Sequence, residues 1–180
     1  MKTKNSPRRT GIFAVIVCVL AQFLLAVFQS TVGHKIGFFG VTAQYTLALA
    51  VCAAFYKGPI VGAVCGLAGG VFTEAIGSTG ITLLPLFYTV ICWVVGAIEE
   101  EKKEHRGAEF LRFCVNLASA ALAGGLATLV MIAINSTKPS IQDAIVYIVL
   151  PEALNTAVFG ILIGAIFFAA EKITSHKKSG

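Results

Sequence analysis

Two carboxylates, Glu74 and Glu152, interrupt long apolar stretches of this 180-residue chain. A charge within such a stretch is expensive to keep and usually functional. Glu152 follows Pro151, in what reads as the first turn of a helix near its outer end, where the helix dipole favours a carboxylate. Glu74 precedes the turn-like Gly77-Ser78-Thr79-Gly80. Two readings stay open. Each glutamate is a wet or capped helix end, paired with Lys35 or Lys138. Alternatively, the two belong to an outward-facing polar site that also uses Asn155 and Gln29. The other reactive residues make no catalytic set. Cys18, Cys52, Cys65, Cys92 and Cys114 fall in apolar runs without a C-x-x-C pair. They read as small hydrophobes, and neither a zinc site nor a disulfide framework is indicated. His34, His105 and His176 lie in loops or a tail, with no second histidine at i+4. There is no P-loop, no G-x-S-x-G and no H-E-x-x-H. No catalytic residue, metal site or cofactor is expected. Asn135-Ser136-Thr137 matches a glycosylation sequon, which matters only where secreted loops are glycosylated.

The spacing with a clear physical meaning is that of glycine. Gly58, Gly62, Gly66 and Gly70 recur at every fourth residue, Gly160 and Gly164 repeat the interval, and Ala120 with Gly124 makes a third case. Small residues at i and i+4 let helix backbones approach closely in lipid. Such a face packs inside a bundle, or it forms a homodimer or receives a partner's helix. Both readings stay open.

The elements that must position these residues follow from composition. Hydrophobic residues make up 57% of the chain and charged ones 13%, with a mean hydropathy of +0.84. A soluble globule this apolar would expose large greasy patches, which excludes a cytosolic enzyme, a disordered tail and a secreted disulfide scaffold. A helix needs about 20 mostly apolar residues to cross a bilayer. Six stretches qualify, some narrowly: Gly11 to Phe28, Val41 to Tyr56, Pro59 to Phe72, Ile81 to Ile98, Phe110 to Ile134 and Pro151 to Ala170. Residues 1–180 thus read as one all-α, six-helix transmembrane domain. Lys57-Gly58 makes a tight helical hairpin of the second and third spans. Proline suits a first turn, so the last span is placed from Pro151. The run from Ala144 to Leu150 is then interfacial or a kinked extension.

Basic residues give the orientation. Six spans put both ends on one side with Lys2, Lys4, Arg8, Arg9, Lys57, Lys102, Lys103, Arg106, Arg112, Lys172, Lys177 and Lys178, and leave Lys35 and Lys138 opposite. Both termini are expected in the cytoplasm. The net charge of +5 is therefore a topology signal and not a nucleic-acid patch. The basic start followed by an apolar run resembles a signal peptide. Ala26-Val27-Phe28 ends on a bulky residue, so an uncleaved first helix is expected. Residues 99–109, rich in Glu and Lys, read as a charged cytoplasmic loop, either simply solvated or docking a partner.

A further pattern runs along the chain. Gln29-Ser30-Thr31 closes the first span and Phe39-Gly40-Val41 opens the second. Lys57-Gly58-Pro59, the spaced glycines, Glu74 and Gly77-Ser78 follow, and Pro151 with Leu154-Asn155 opens the last span. That order resembles the rod shape-determining protein MreD family, from about Ala21 to Gly80 and again from Pro151. The family often has Pro-Asp after the Phe-Gly-Val, where this chain has Ala43 and Gln44, and usually Asp where Glu74 stands. The resemblance implies an integral membrane subunit of the cell-elongation machinery in the bacterial cytoplasmic membrane. Its implied partners are MreC, a bitopic protein, and other cell-wall elongation proteins, linking MreB filaments to peptidoglycan synthesis without catalysis. The family fold is similar to the six-helix substrate-binding subunit of energy-coupling-factor transporters. A vitamin-binding membrane subunit is the alternative function, and an enzyme is the weakest case.

Overall fold

A computed structural model describes residues 8–33, 35, 41–77, 83–101, 109–135 and 141–176, and among these there is no strand. Helix α1 spans Arg8–Phe28 and runs on into a π-helical turn, Gln29–Gly33. Then come α2 (Tyr45–Lys57), α3 (Pro59–Gly77), α4 (Leu84–Glu101) and α5 (Glu109–Asn135). A helical turn (Ile141–Ala144) and a π-helical segment (Ile145–Val149) lead into α6, Leu150–His176. Among the described residues four stretches are long and apolar enough to cross a membrane: Val15–Gly33, Pro59–Gly77, Phe110–Ile134 and Gln142–Ile166. The other two expected spans fall short for separate reasons. Helix α2 has 13 residues, a rise of about 20 Å against a hydrocarbon core of about 30 Å. Helix α4 ends in Glu99, Glu100 and Glu101.

The short helix is the centre of the fold. Every residue from Tyr45 to Phe55 is buried, and α2 packs against all five other long helices. Its composition permits that position. Alanines and Cys52 let neighbours come close on every side, and Leu47 and Val51 fill the gaps. The periphery carries the bulk instead. Leu24, Ile60, Trp93, Leu111, Leu126 and Ile166 are all more than half exposed or close to it, and they belong to five different helices. Small residues inside and large apolar residues outside is the pattern of a chain solvated by lipid.

Three boundaries differ from those expected. Residues 41–44 are not helical, so the second element starts at Tyr45 and not at Val41. Glu99 to Glu101 belong to α4. Glu99 is buried, its carboxylate 3.3 Å from the Arg112 guanidinium and 3.4 Å from the Asn116 amide. The charged segment therefore does not begin as a solvated loop at residue 99, because an ion pair between α4 and α5 draws that end of the helix inward. Residues 102–108 lie outside the described residues. Finally, the last helical run does not start at Pro151 but continues upstream to Ile141. Proline has no N–H and crowds the carbonyl four residues back. The π-helical register, with the Leu150 N–H donating to Ile145 O, absorbs that conflict just before Pro151. The extension reading of the 144–150 run is the one that holds.

Candidate functional site

The start of α2 has a backbone problem. The first N–H groups of a helix lack partners, and Gln44, the residue before it, makes no side-chain cap of its own. Because α2 is buried, water is not there to help. Other helices supply the partners. The Tyr45 N–H donates to Gln29 Oε1 from the end of α1, at 3.1 Å. The Gln44 N–H donates to Thr156 Oγ1 of α6, at 2.9 Å. Asn155 Nδ2 donates to Val41 O in the extended lead-in, at 2.7 Å. The Tyr45 ring is held edge-on between Phe28 of α1 and Phe159 of α6.

Glu152 is one helical turn from Thr156 and joins the same cluster. Its Oε1 accepts from Gln44 Nε2 at 2.7 Å and from Thr128 Oγ1 of α5 at 3.3 Å. Gln44 Nε2 also donates to Thr128 Oγ1 at 3.0 Å, and Thr156 Oγ1 donates to Glu152 O at 2.7 Å. Glu152 is 9% exposed and Gln44 3%. Three elements thus meet around one carboxylate. Because the helix continues upstream of Pro151, Glu152 sits close to the middle of the apolar stretch Gln142–Ile166, not at a helix end. Its own helix dipole is no longer the relevant one. The dipole that points toward this cluster is that of α2, through Gln44.

Of the four residues expected to form a polar site, the structure therefore brings Gln29, Glu152 and Asn155 together around residues 41–45. Glu74 stands apart. Its Oε1 accepts the Leu84 N–H at 2.9 Å, so it caps the start of α4 from the end of α3, which is the capped-end reading. Lys35 is exposed, and among the described residues neither glutamate forms an ion pair with it. Lys138 lies outside the described residues.

A second, smaller polar contact lies on another side of the first turn of α2, toward α1, α3 and α4. Gln22 of α1 is fully buried and donates through Nε2 to Thr46 O at 3.0 Å. Thr46 Oγ1 and Thr73 Oγ1 of α3 are 3.0 Å apart, and Tyr88 of α4 hydrogen-bonds Thr46. Gln22, Gln44, Thr46, Thr128 and Thr156 are the partners that attention to charge overlooks. Their signal is an uncharged polar residue inside an apolar run, and for the two glutamines a glycine on the facing helix. A Cβ on Gly124 would strike Gln44 Oε1 and come 2.5 Å from Leu47 Cδ2. One on Gly69 would come 2.9 Å from Gln22 Oε1. Each buried glutamine amide occupies the space that a glycine leaves.

The spaced glycines are covered from within the chain. A Cβ on Gly62 would overlap Ala54 of α2, one on Gly66 would come 2.5 Å from Tyr88 O of α4, and one on Gly70 would overlap Pro85. Gly160 and Gly164 of α6 are equally filled by Leu117 and Phe113 of α5. This is the bundle-packing reading, with no open face left at these glycines for a second copy or a partner helix. Gly58 differs. It has φ +97° and open space around its Cβ position, so it serves the α2–α3 turn, where a left-handed conformation suits glycine.

The cysteines behave as expected of small hydrophobes. Cys18, Cys52, Cys65 and Cys92 are buried in the core and unbridged. Among the described residues no group of three or more His, Cys, Asp or Glu could hold a metal ion. An apolar groove of about 820 Å³ lies on the outside of the α5–α6 pair and its lead-in segment, lined by Leu122, Tyr147, Leu150 and Leu154 with Ala118, Ala153 and Ala157. No family model, no curated protein and no solved structure matches the chain.

Proposed function

We propose that the chain is a multi-pass scaffold subunit of the cell-elongation machinery of the bacterial cytoplasmic membrane, of the MreD type. In this reading all six helices lie in the bilayer with both termini inside, and α2 is a short central helix enclosed by the other five. The observation that carries the reading is the filling of the glycine faces. Where neighbouring helices would overlap even an added Cβ, the seams between them have no room for cargo, and function moves to the outer surface. That surface offers an apolar groove lined in part by alanines, which suits the single helix of a bitopic partner such as MreC. The order of motifs from Gln29 to Ser78 and from Pro151 to Asn155 supplies the family.

Affinity purification from membranes tests the proposal. A bitopic wall-synthesis protein should be recovered, and Ala157→Phe, which fills the groove, should reduce its yield by at least tenfold without altering the fold. Depletion should round the cells. Recovery of an ATPase pair, with a vitamin raising thermal stability, would establish the transporter subunit in its place. Single cysteines at Ser78 and Ser140, in a background without native cysteines, should react with an impermeant reagent from outside. Labelling at Lys103 instead would reverse the orientation.

A further inference from the structure

The Glu152 cluster has a charge that its surroundings do not match. The carboxylate is enclosed, near the middle of an apolar stretch. A buried ion of this kind is kept only when paired or neutralised. Its described neighbours are the Gln44 amide, the Thr128 hydroxyl and, through Gln44, the N-terminal end of α2. Two hydrogen bonds and a helix end worth about half a charge offset only part of a full negative charge. No cationic side chain among the described residues forms an ion pair with it. Among the described residues, Tyr88 of α4, which interacts electrostatically with Glu152, adds no positive charge, and Glu74 of α3 is itself acidic. Two oxygens in the cluster are also unused. Glu152 Oε2 and Gln44 Oε1 are buried and accept no hydrogen bond, although Gln44 is 3% exposed and Glu152 9%.

We infer that Glu152 binds one monovalent cation, a proton or an alkali ion, within the oxygen cluster that Gln44 and Thr128 build at the start of α2. The missing charge is one unit, and only one carboxylate is present, so a divalent ion would be undercompensated. A proton would bond to Oε2 and leave a neutral acid. An alkali ion would take Oε2 with neighbouring oxygens and leave the carboxylate ionised. Non-helical backbone at this depth is tolerated where it is enclosed by protein or lines a polar cavity, and broken helices with polar ends at mid-depth are a recurrent setting for ion sites in membranes. Cation occupancy would bear on how α2 is seated, since Glu152 and Thr128 hold the Gln44 side chain at its start.

This inference rests on the membrane-embedded reading and not on the identity of the partner. The test is thermal unfolding of the full chain in lipid nanodiscs, in two arms. At fixed pH, sodium replaces choline at constant ionic strength. In sodium-free buffer, pH is varied. Either arm should give a stability that rises as the cation is added, with the unfolding constant falling about tenfold per tenfold cation above its dissociation constant. A response in the first arm identifies an alkali ion, and in the second a proton. In both cases Glu152→Gln, which keeps the shape without the charge, should abolish the response. Glu152→Asp, which retains the charge, should weaken it and keeps the test open if the glutamine variant fails to fold. A native response that survives in Glu152→Gln, or no response in either arm, would overturn the inference. So would equal destabilisation by Glu152→Gln and Lys138→Gln with no additional loss in the double variant, which would assign the charge to Lys138. A chain that stays soluble without lipid or detergent would instead refute the membrane reading, before any cation is added.

Discussion

The two ends of α2 are held by opposite means. At the Lys57 end the contact is dry. Ala54 sits against Gly62, Gly58 turns the chain, and Pro59 at the start of α3 meets Gly96 of α4 backbone to backbone. At the Gln44 end the contact is polar, and side chains from the end of α1, from α5 and from α6 reach in to hydrogen-bond Val41, Gln44 and Tyr45. The difference reflects what each end lacks. A helix that stops beneath a turn closed by glycine needs only space, because the Gly58 N–H bonds back to Ala54 O and the carbonyl of Gly58 accepts from Gly62 N–H. A helix that starts inside a protein, away from water, needs acceptors for its N–H groups, and these must come from other elements. Close packing sets which helices touch. The polar end sets how deep α2 sits and in which register.

The comparison can be broken most directly at its dry side. Gly66→Leu must force α3 away from the α4 backbone at Tyr88, and should cost about 3 kcal/mol, seen as a fall in the melting temperature in mild detergent. A variant of normal stability would mean that the seam is not closely packed. Next in size is Gln44→Leu. It leaves Glu152 without its shortest hydrogen bond, and should cost about 2 kcal/mol in reversible unfolding. A loss smaller than that of Gln29→Ala would show that the carboxylate does not depend on the amide. Gly58→Ala keeps the contacts but asks alanine to adopt a left-handed backbone, for about 1 kcal/mol. Gln29→Ala removes only the acceptor for the Tyr45 N–H. It should cost about 0.6 kcal/mol and speed amide exchange at Tyr45 relative to Val51. Least of all, Leu162→Ala on the outer face of α6, 57% exposed, should stay within about 0.5 kcal/mol, because lipid solvates that side chain in the folded and the altered protein alike.

Much of the dry side could be read from residue order. The interval Gly58, Gly62, Gly66, Gly70 names its own helix face, and Lys57-Gly58-Pro59 marks the turn. Helix positions followed from the apolar runs for the same reason. Reading the polar side was harder. Gln29, Glu152 and Asn155 could be picked as an unusual set, but their common target could not, since residues 41–45 are far from Glu152 and Asn155 in sequence. Glu74 belonged to the set by residue type and was separated from it by geometry. Gln44 was visible only as a departure from the Pro-Asp expected after Phe-Gly-Val.

Glu152 shows most clearly where local reading stops. Proline at 151 locally favours a helix start, which would put the carboxylate at a wet end. In the fold, a π-helical turn lets the helix pass through Pro151 and leaves the carboxylate enclosed. That choice is worth more to the chain as a whole than to the segment, because it aligns Thr156 and Asn155 with the lead-in to α2.

What the sequence by itself determined is an apolar character compatible with a membrane and the set of contacts available to such a chain. A chain with so few charges, placed where these are, makes apolar helices with small residues at fixed intervals, because backbone polar groups away from water must be satisfied within each helix. Only the tertiary structure decided that the shortest helix would be the innermost, that the glycines would be used up within the chain, and that Glu152 would lie inside. Those outcomes depend on which helices share a face, and a helix that cannot cap its own start can be buried only where neighbouring helices bring it the missing acceptors.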